Sequence, residues 1–543
     1  MSKMKLYPVM LAGTGSDVGK SIIATALCRI FRQDGYKPAP FKAQNMALNS
    51  FVTPDGLEIG RAQAVQAEAA GIPCEAEMNP LLLKPQSDHT SQVVLLGKPI
   101  GNKDAYDYWR KSAPSGGGRG RFREEVHAAF DRLSERFNPI VMEGAGSIAE
   151  LNLRDTDLVN MPMARYADAR VILVADIDRG GVFASAYGSI MLQDEEDRKR
   201  IKGIIVNKFR GDMRLFDEGR RMLEDICQVP VLGVIPYMKD IHIEEEDSQN
   251  LPLTPSQGGG MNRQTITEGA ELDIIDETKK YNVAHASSLD GRRCQEADVI
   301  DETKKNNVAH APSLGGGRGR LHIAVVRLPY ISNFTDFDAL EHDPRISVFY
   351  TDKADELSQA DIIILPGTKS TLNDLRWLHN SGMVESILRA HREGKTILGI
   401  CGGYQMMGQT IDDPEGIEGP IKHLPGLGLL SIHTTMAREK TTQQVTFLFE
   451  GQECHGYEIH QGQSNTDQMV LQEGHCIGTY VHGILDNAPF VDFLLRPFID
   501  RVGARKATFD YQTYKEQQYD LLADHVRQYL DMDRLYEIMQ SND

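Results

Sequence analysis

Cys401 stands in the stretch GICGGYQMMG, flanked by Gly399, Gly402 and Gly403 and preceded by the apolar run Thr396–Ile400. A nucleophile carried on a sharp strand-to-helix turn needs small neighbours of this kind, because the turn is strained and crowded. The dipole of the helix that follows favours the ionised thiol, which is the nucleophilic form. A thiol in this role needs a histidine beside it as base. His455, His460 and His482 are the candidates; His482, closing the run CIGTYVHG, is preferred, and His460 in GYEIHQG is the runner-up. The backbone N–H of Gly402 and one from the Pro366–Gly367 turn, Gly367 in particular, could form an oxyanion hole. Together these groups would perform acyl transfer from a carbonyl substrate.

A second constellation opens the chain. GTGSDVGKS at Gly13–Ser21 follows the apolar run Leu6–Leu11 and leads into SIIATALCRIF, whose Ile22, Ile23, Ala26, Leu27 and Ile30 share one helical face. Strand, glycine loop, Lys-Ser and helix is the context of a phosphate-binding loop. Thr14, Gly15, Ser16, Asp17 and Gly19 would wrap ATP phosphates with backbone N–H groups. Lys20 would reach the β- and γ-phosphates and the Ser21 hydroxyl would bind Mg²⁺. Thr14 occupies the place where the usual pattern has glycine, and the loop is similar to the variant found in dethiobiotin synthetases and their relatives. Partition and nitrogenase-type ATPases carry an extra lysine early in this loop, and none is present here. Glu143, ending the strand of IVMEGAGS, is a second candidate Mg²⁺ ligand. Asn207 in VNKFRGD is placed to read a purine edge, since open α/β sheets bind ligands at strand C-terminal ends.

These groups must be held by two α/β domains. Short apolar runs alternate with amphipathic stretches over residues 5–240, among them Pro139–Met142, Arg170–Ala175 and Ile201–Val206. A second series comprises Leu321–Val326, Asp361–Leu365, Thr396–Ile400 and Cys476–Val481. Short runs apolar throughout are what strands of a parallel sheet, buried on both faces, look like. The expected division is an ATP-dependent domain at 1–240, a polar insert at 241–319, a thiol-bearing domain at 320–500 and a helical, core-capping tail at 501–543. The insert repeats itself: IIDETKKYNVAHASSLDGRR starts at Ile274, VIDETKKNNVAHAPSLGGGRGR at Val299, and APSGGGRGR appears far away at Ala113–Arg121. Two copies cannot bury a continuous core, so a surface insertion without a part in the chemistry is expected.

Composition excludes several classes. Of 543 residues, 41% are hydrophobic and 25% charged, and the net charge of -18 disfavours non-specific binding to nucleic acid or to membrane surfaces, both polyanionic. No apolar run approaches the roughly 20 residues that span a bilayer. Seven scattered cysteines without a CxxC pair suggest neither a disulfide framework nor structural zinc. A reducing cytoplasm is the expected compartment; the oligomeric state is left open.

GICGGYQMMG, PGTKST (Pro366–Thr371), GYEIH (Gly456–His460) and TYVHGILDN (Thr479–Asn487) resemble the cobyric acid type of class I glutamine amidotransferase, a flavodoxin-like domain. FKAQNMALNS (Phe41–Ser50), MNPLLLKP (Met78–Pro85) and EGAGSIAELNLRDTD (Glu143–Asp157) resemble the adenosylcobyric acid synthase branch. The resemblance implies that glutamine is hydrolysed at Cys401 with His482 as base and that ammonia passes internally. ATP would activate the b, d, e and g propionates of adenosylcobyrinic acid a,c-diamide, a corrinoid of cobalamin biosynthesis, for conversion to amides. Lys42, Gln44, Asn45 and Asn49 would orient those propionates. Two positions depart from the pattern: Ile484 stands where other class I enzymes have a glutamate that orients the histidine, and Ile148 replaces a proline. The alternatives are cobyrinate a,c-diamide synthase, another ATP-dependent amidotransferase such as a cell-wall one, and, outside enzymes, a partition-type regulatory ATPase.

Overall fold

The computed structural model describes residues 4–85, 90–104, 118–244, 320–502 and 509–541. The repeats beginning at Ile274 and Val299 lie outside the described residues, as do 113–117 of the related peptide. In the N-terminal half six parallel strands run across one sheet in the order Val231–Pro236, Ile201–Phe209, Arg170–Asp176, Val9–Gly13, Ile140–Glu143 and Ala39–Phe41. Val9–Gly13 and Arg170–Asp176 are buried at every position, which explains their unbroken apolar character. The first strand begins later than the Leu6–Leu11 expected from sequence. Tyr7 gives its N–H to Met539 instead of to the ladder, and Pro8 has none to give.

Beyond this sheet lie a small sheet (Gln44–Met46, Leu81–Pro85, Thr90–Leu95, Lys98–Asp104) and the two-stranded pair Ser50–Val52 with Glu58–Gly60. The C-terminal half builds a second six-stranded sheet: Ile346–Thr351, Leu321–Val326, Ile362–Leu365, Thr396–Ile400, Cys476–Thr479 and Val470–Glu473, parallel except for the last pair. A long antiparallel hairpin, His433–Phe449 with Gln452–Ser464, stands beside it. The hairpin meets the first domain through Lys440 on Glu58 at 2.6 Å, Gln444 donating to the Val52 carbonyl at 2.9 Å, and Tyr457 edge-on to Phe51.

The tail caps the core of the first domain: helix Tyr511–Tyr529 packs on helix Lys20–Gln33. Tyr519, Leu522, Ala523, Val526, Leu530, Leu535, Ile538 and Met539 join that domain's core. Each large apolar side chain buried there contributes about 1.5–3 kcal/mol. Arg29 binds Asp520 at 2.7 Å and Glu516 at 2.8 Å, and a Cβ on Gly233 would stand 2.3 Å from the Tyr529 carbonyl, so only glycine admits the tail. Residues 241–244, assigned from sequence to the insert, also belong here, with Glu244 buried against Arg61 and Lys515. No helix among the described residues is long and apolar enough to cross a membrane.

Candidate functional site

Strand Thr396–Ile400 delivers Cys401 to helix Gly402–Met407 with φ 51° and ψ -110°, a strained backbone held by its surroundings. A Cβ on Gly403 would meet the Leu365 carbonyl oxygen at 2.0 Å, and one on Gly399 the Tyr404 backbone at 2.8 Å, so the turn closes only with glycine at both places. His482 follows the adjacent strand. Its backbone pairs with Tyr457 of the hairpin, whose ring stacks on the imidazole at 5.3 Å. Nδ1 of His482 meets Asp336 Oδ2 at 2.7 Å, which leaves Nε2 for Cys401, with which it interacts directly. Burial opposes the imidazolium, but Asp336 and then Cys401 outweigh it and push His482 up to about 10.

Asp336 is therefore the orienting acid that the sequence left without a name once Ile484 was found in the usual place. It comes from the turn after strand Leu321–Val326 and is itself buried, also accepting from Gly483 N at 2.9 Å. Its signal was available: the acid-bearing stretch SNFTDFD follows a strand of the nucleophile's own sheet, at the end where ligands gather. His460, the runner-up base, is instead tied by Nδ1 to the Gly462 carbonyl at 2.7 Å and stacked on Tyr480. Burial leads the effects that push it down to about 4. His455 is exposed and bonded to Thr446. Gly402 N–H lies in the first turn of its helix, where no intrahelical acceptor exists. Gly367 packs onto the same pair; a Cβ there would be 3.0 Å from His482 Cε1 and 3.8 Å from Cys401 Cβ.

Asp336→Asn should lower the rate of any acyl transfer at Cys401 about a hundred- to ten-thousand-fold with little change in KM, because the imidazole loses its tautomer and its counter-charge. The same change alters alkaline stability. A histidine raised from 6.5 to about 10 stabilises the fold fully below about pH 6.5 and loses that contribution as pH rises through about 10. Thermal melts of the variant should therefore show a smaller loss between those limits than the parent.

In the first domain, the loop after Val9–Gly13 turns through Asp17 at φ 56° and Gly19 at φ 95° into helix Lys20–Gln33. Lys20 is buried and its ammonium donates to the Gly15 and Gly146 carbonyls at 2.9 and 3.0 Å. Ser21 Oγ donates to Glu143 Oε1 at 2.8 Å, bringing both expected metal ligands to one point. Lys42 reaches the same oxygen at 2.9 Å, and Gln66 donates to Oε2 at 2.7 Å. Burial opposes ionisation of Glu143, but Lys42 prevails and holds it below the usual carboxylate range. Two hard oxygen donors facing a phosphate loop suit Mg²⁺, which takes few protein ligands and completes its shell with phosphate and water. Among the described residues no cluster of three or more His, Cys, Asp or Glu would hold a metal alone. Asn207 Nδ2 donates to the Val18 carbonyl at 2.9 Å, while its buried Oδ1 has no partner among the described residues.

These groups line a cavity of about 890 Å³ that contains Ser16, Asp17, Gly19, Lys20, Ser21, Lys42, Gln44, Asn45, Glu143 and Asn207. Its far wall comes from elements that sequence reasoning did not connect: Glu244, Phe334 and Asp338, and Tyr511, Tyr514, Lys515 and Tyr519 of the tail. Asn49 departs from expectation. It does not line the cavity but is 1% exposed beside Ser50, whose N–H donates to Asn333 of the C-terminal half at 3.3 Å. Both polar atoms of its side chain lack partners among the described residues.

Residues 9–251 match the family described as CobQ/CobB/MinD/ParA nucleotide binding domain, and 322–490 match the CobB/CobQ-like glutamine amidotransferase domain. The chain is 56% identical to cobyric acid synthase of Phocaeicola vulgatus, with all of both chains covered at 100%. It is 46% identical to the cobyric acid synthase of Parabacteroides distasonis over 99% of this chain and 100% of that one. It is 42% identical to that of Syntrophobacter fumaroxidans over 98% of each.

Proposed function

The chain belongs to the cobyric acid synthase family of glutamine amidotransferase ligases, and from that premise we propose that it converts the b, d, e and g propionates of adenosylcobyrinic acid a,c-diamide into amides at the expense of ATP and glutamine. The observation that carries this is the pairing, within one compact unit, of a Cys401–His482–Asp336 triad with a phosphate-loop cavity large enough for an extended ligand. In the first half-reaction Cys401 Sγ attacks the glutamine side-chain carbonyl as His482 takes the thiol proton. His482 then returns that proton to the departing ammonia, with Asp336 keeping the imidazole aligned. Gly402 and Gly367 N–H groups receive the oxyanion. Water admitted to the thioester, deprotonated by His482, releases glutamate.

In the second, Lys20 and the loop amides that follow Thr14, whose own N–H is taken by the Val174 carbonyl at 3.1 Å, hold the ATP phosphates, and Asn207 offers an acceptor without a partner among the described residues to the base. Ser21 and Glu143 would hold Mg²⁺, which supplies charge neutralisation between the phosphates when bound. Lys42, with Gln44 and Asn45, orients a propionate toward the transferred phosphoryl group. The acyl phosphate so formed has the leaving group that a carboxylate lacks, and ammonia displaces it. Three buried amides of the first domain are candidates for the ammonia path. Asn49 beside Ser50, Gln63 bonded to Asn45, and Gln66 bonded to Glu143 each carry a polar atom without a partner among the described residues. Such atoms cost about 1–3 kcal/mol each when left dry, and ammonia in transit would satisfy them. The free thiols of the six described cysteines accord with a cytoplasmic setting. Incubating the protein with ATP, glutamine and a corrinoid acid should yield products lighter by about one mass unit per amide formed; an unchanged corrinoid mass would refute the assignment.

A further inference from the structure

Asp336 ties down one nitrogen of the His482 imidazole, but a hydrogen bond alone leaves the ring free to turn about its axis. The hairpin removes that freedom. Tyr457 exchanges backbone hydrogen bonds with His482 at 2.8 and 3.1 Å and lays its ring along the imidazole, 22° from parallel. The approach is close, since a Cβ on Gly456 would stand 2.5 Å from the His482 carbonyl oxygen. Further along the same strand, the Ile459 carbonyl accepts from Cys401 Sγ at 3.7 Å. Tyr457 and Ile459 share one face of the strand, because side chains two positions apart point the same way.

That face rests on the first domain. Val52 is buried together with Tyr457 and Ile459, and Phe51 packs against them. The Phe51 ring meets Tyr457 edge-on at 4.8 Å, and the Tyr457 hydroxyl donates to the Ser50 carbonyl at 3.3 Å. The same strand supports the acid. Asn333, which accepts from Ser50 N, holds a left-handed backbone with φ 53°, and its carbonyl accepts from Asp336 N at 3.0 Å. Strand Ser50–Val52 therefore touches a neighbour of each triad member. Phe51 is held in turn by the Arg61 guanidinium, 4.8 Å from its ring centre, and Arg61 binds Glu244 of the cavity wall at 2.7 Å. When His482 takes the thiol proton it becomes a cation, which the electron-rich face of a stacked phenol ring favours. An imidazole that swings away loses that attraction and misdirects Nε2.

We propose that Phe51 is a positioning residue for the amidotransferase triad: acting through Tyr457, it fixes the plane of the His482 imidazole, so that one domain completes the working geometry of the other. This rests on the amidotransferase assignment above. The test is a double-variant cycle in the full chain, read as glutamate release. Phe51→Leu, which keeps apolar bulk but has no ring edge, should lower kcat about ten-fold with KM for glutamine within about two-fold. Phe51→Tyr should restore most of that rate. Tyr457→Leu should lower kcat about a hundred-fold, and adding Phe51→Leu to it should cost nothing further, since Phe51 acts only through that ring. Ammonium-supported amidation, which needs no triad, should persist in every variant and reports that each is folded. A parent-like kcat for Phe51→Leu, a rise in KM without a fall in kcat, or losses that multiply in the double variant would overturn the proposal. So would loss of ammonium-supported amidation in Phe51→Leu, because the strand would then serve the fold and not the triad. Absence of glutamate release by the parent protein would instead remove the amidotransferase assignment itself.

Discussion

Cys401→Ala is expected to reduce glutamine-supported amidation by at least about a thousand-fold while ammonium-supported amidation continues. The physical ground is the separation of tasks. In the proposed scheme Cys401 forms the bond to the glutamine carbonyl, and no other described cysteine interacts with His482. Cys454 and Cys476, the other described cysteines of that half, are raised by burial. Cys401 is not among the residues that line the phosphate cavity, so ammonia supplied from solution should meet an intact synthetase. The measurement is amide formation with each nitrogen donor in parallel. Loss of both activities in a protein that still melts cooperatively would mean that the thiol serves the amidation step itself, and the two-site scheme would fail.

Lys20→Ala is expected to remove amidation with either donor, again about a thousand-fold or more, and to leave glutamate release measurable. A buried ammonium facing transferred phosphate contributes through charge-assisted bonds of about 1.5–3 kcal/mol each, and phosphoryl transfer depends almost wholly on such positioning. The substitution also strips a donor from the Gly15 and Gly146 carbonyls, which Lys20 now holds together across the loop. Glutamate release therefore serves as the test of folding. ATP-dependent amidation persisting near the parent rate would show that the phosphate loop lies elsewhere.

The rival partition-type ATPase loses ground on particular residues. A regulatory protein with an inactive amidotransferase domain has no need to keep Cys401 in a strained backbone, or to bury Asp336 against His482 at 2.7 Å. Ion pairs buried without purpose are costly, because desolvation takes back much of their attraction. Here the pair has a task, since an orienting acid fixes which imidazole nitrogen faces the sulfur.

What the sequence determined alone are the groups whose geometry is local. Cys401 between Gly399 and Gly402, Lys20 and Ser21 after the glycine loop, Glu143 at a strand end and Asn207 in the last residues of strand Ile201–Phe209 are set by a strand and the few residues around its end. A parallel sheet places every such end on one rim. The tertiary structure decided whatever joins distant segments. Asp336 meets His482 across 146 positions and Lys515 meets Glu68 across 447, and no periodicity or motif spans such intervals. Which core the tail caps was decided there too: its apolar face found helix Lys20–Gln33 and its Tyr511, Tyr514, Lys515 and Tyr519 line the cavity, while Asn49 lies beside the domain seam and not on the cavity wall. Burial against a remote partner is an energy of the whole chain, and a sequence window cannot contain it.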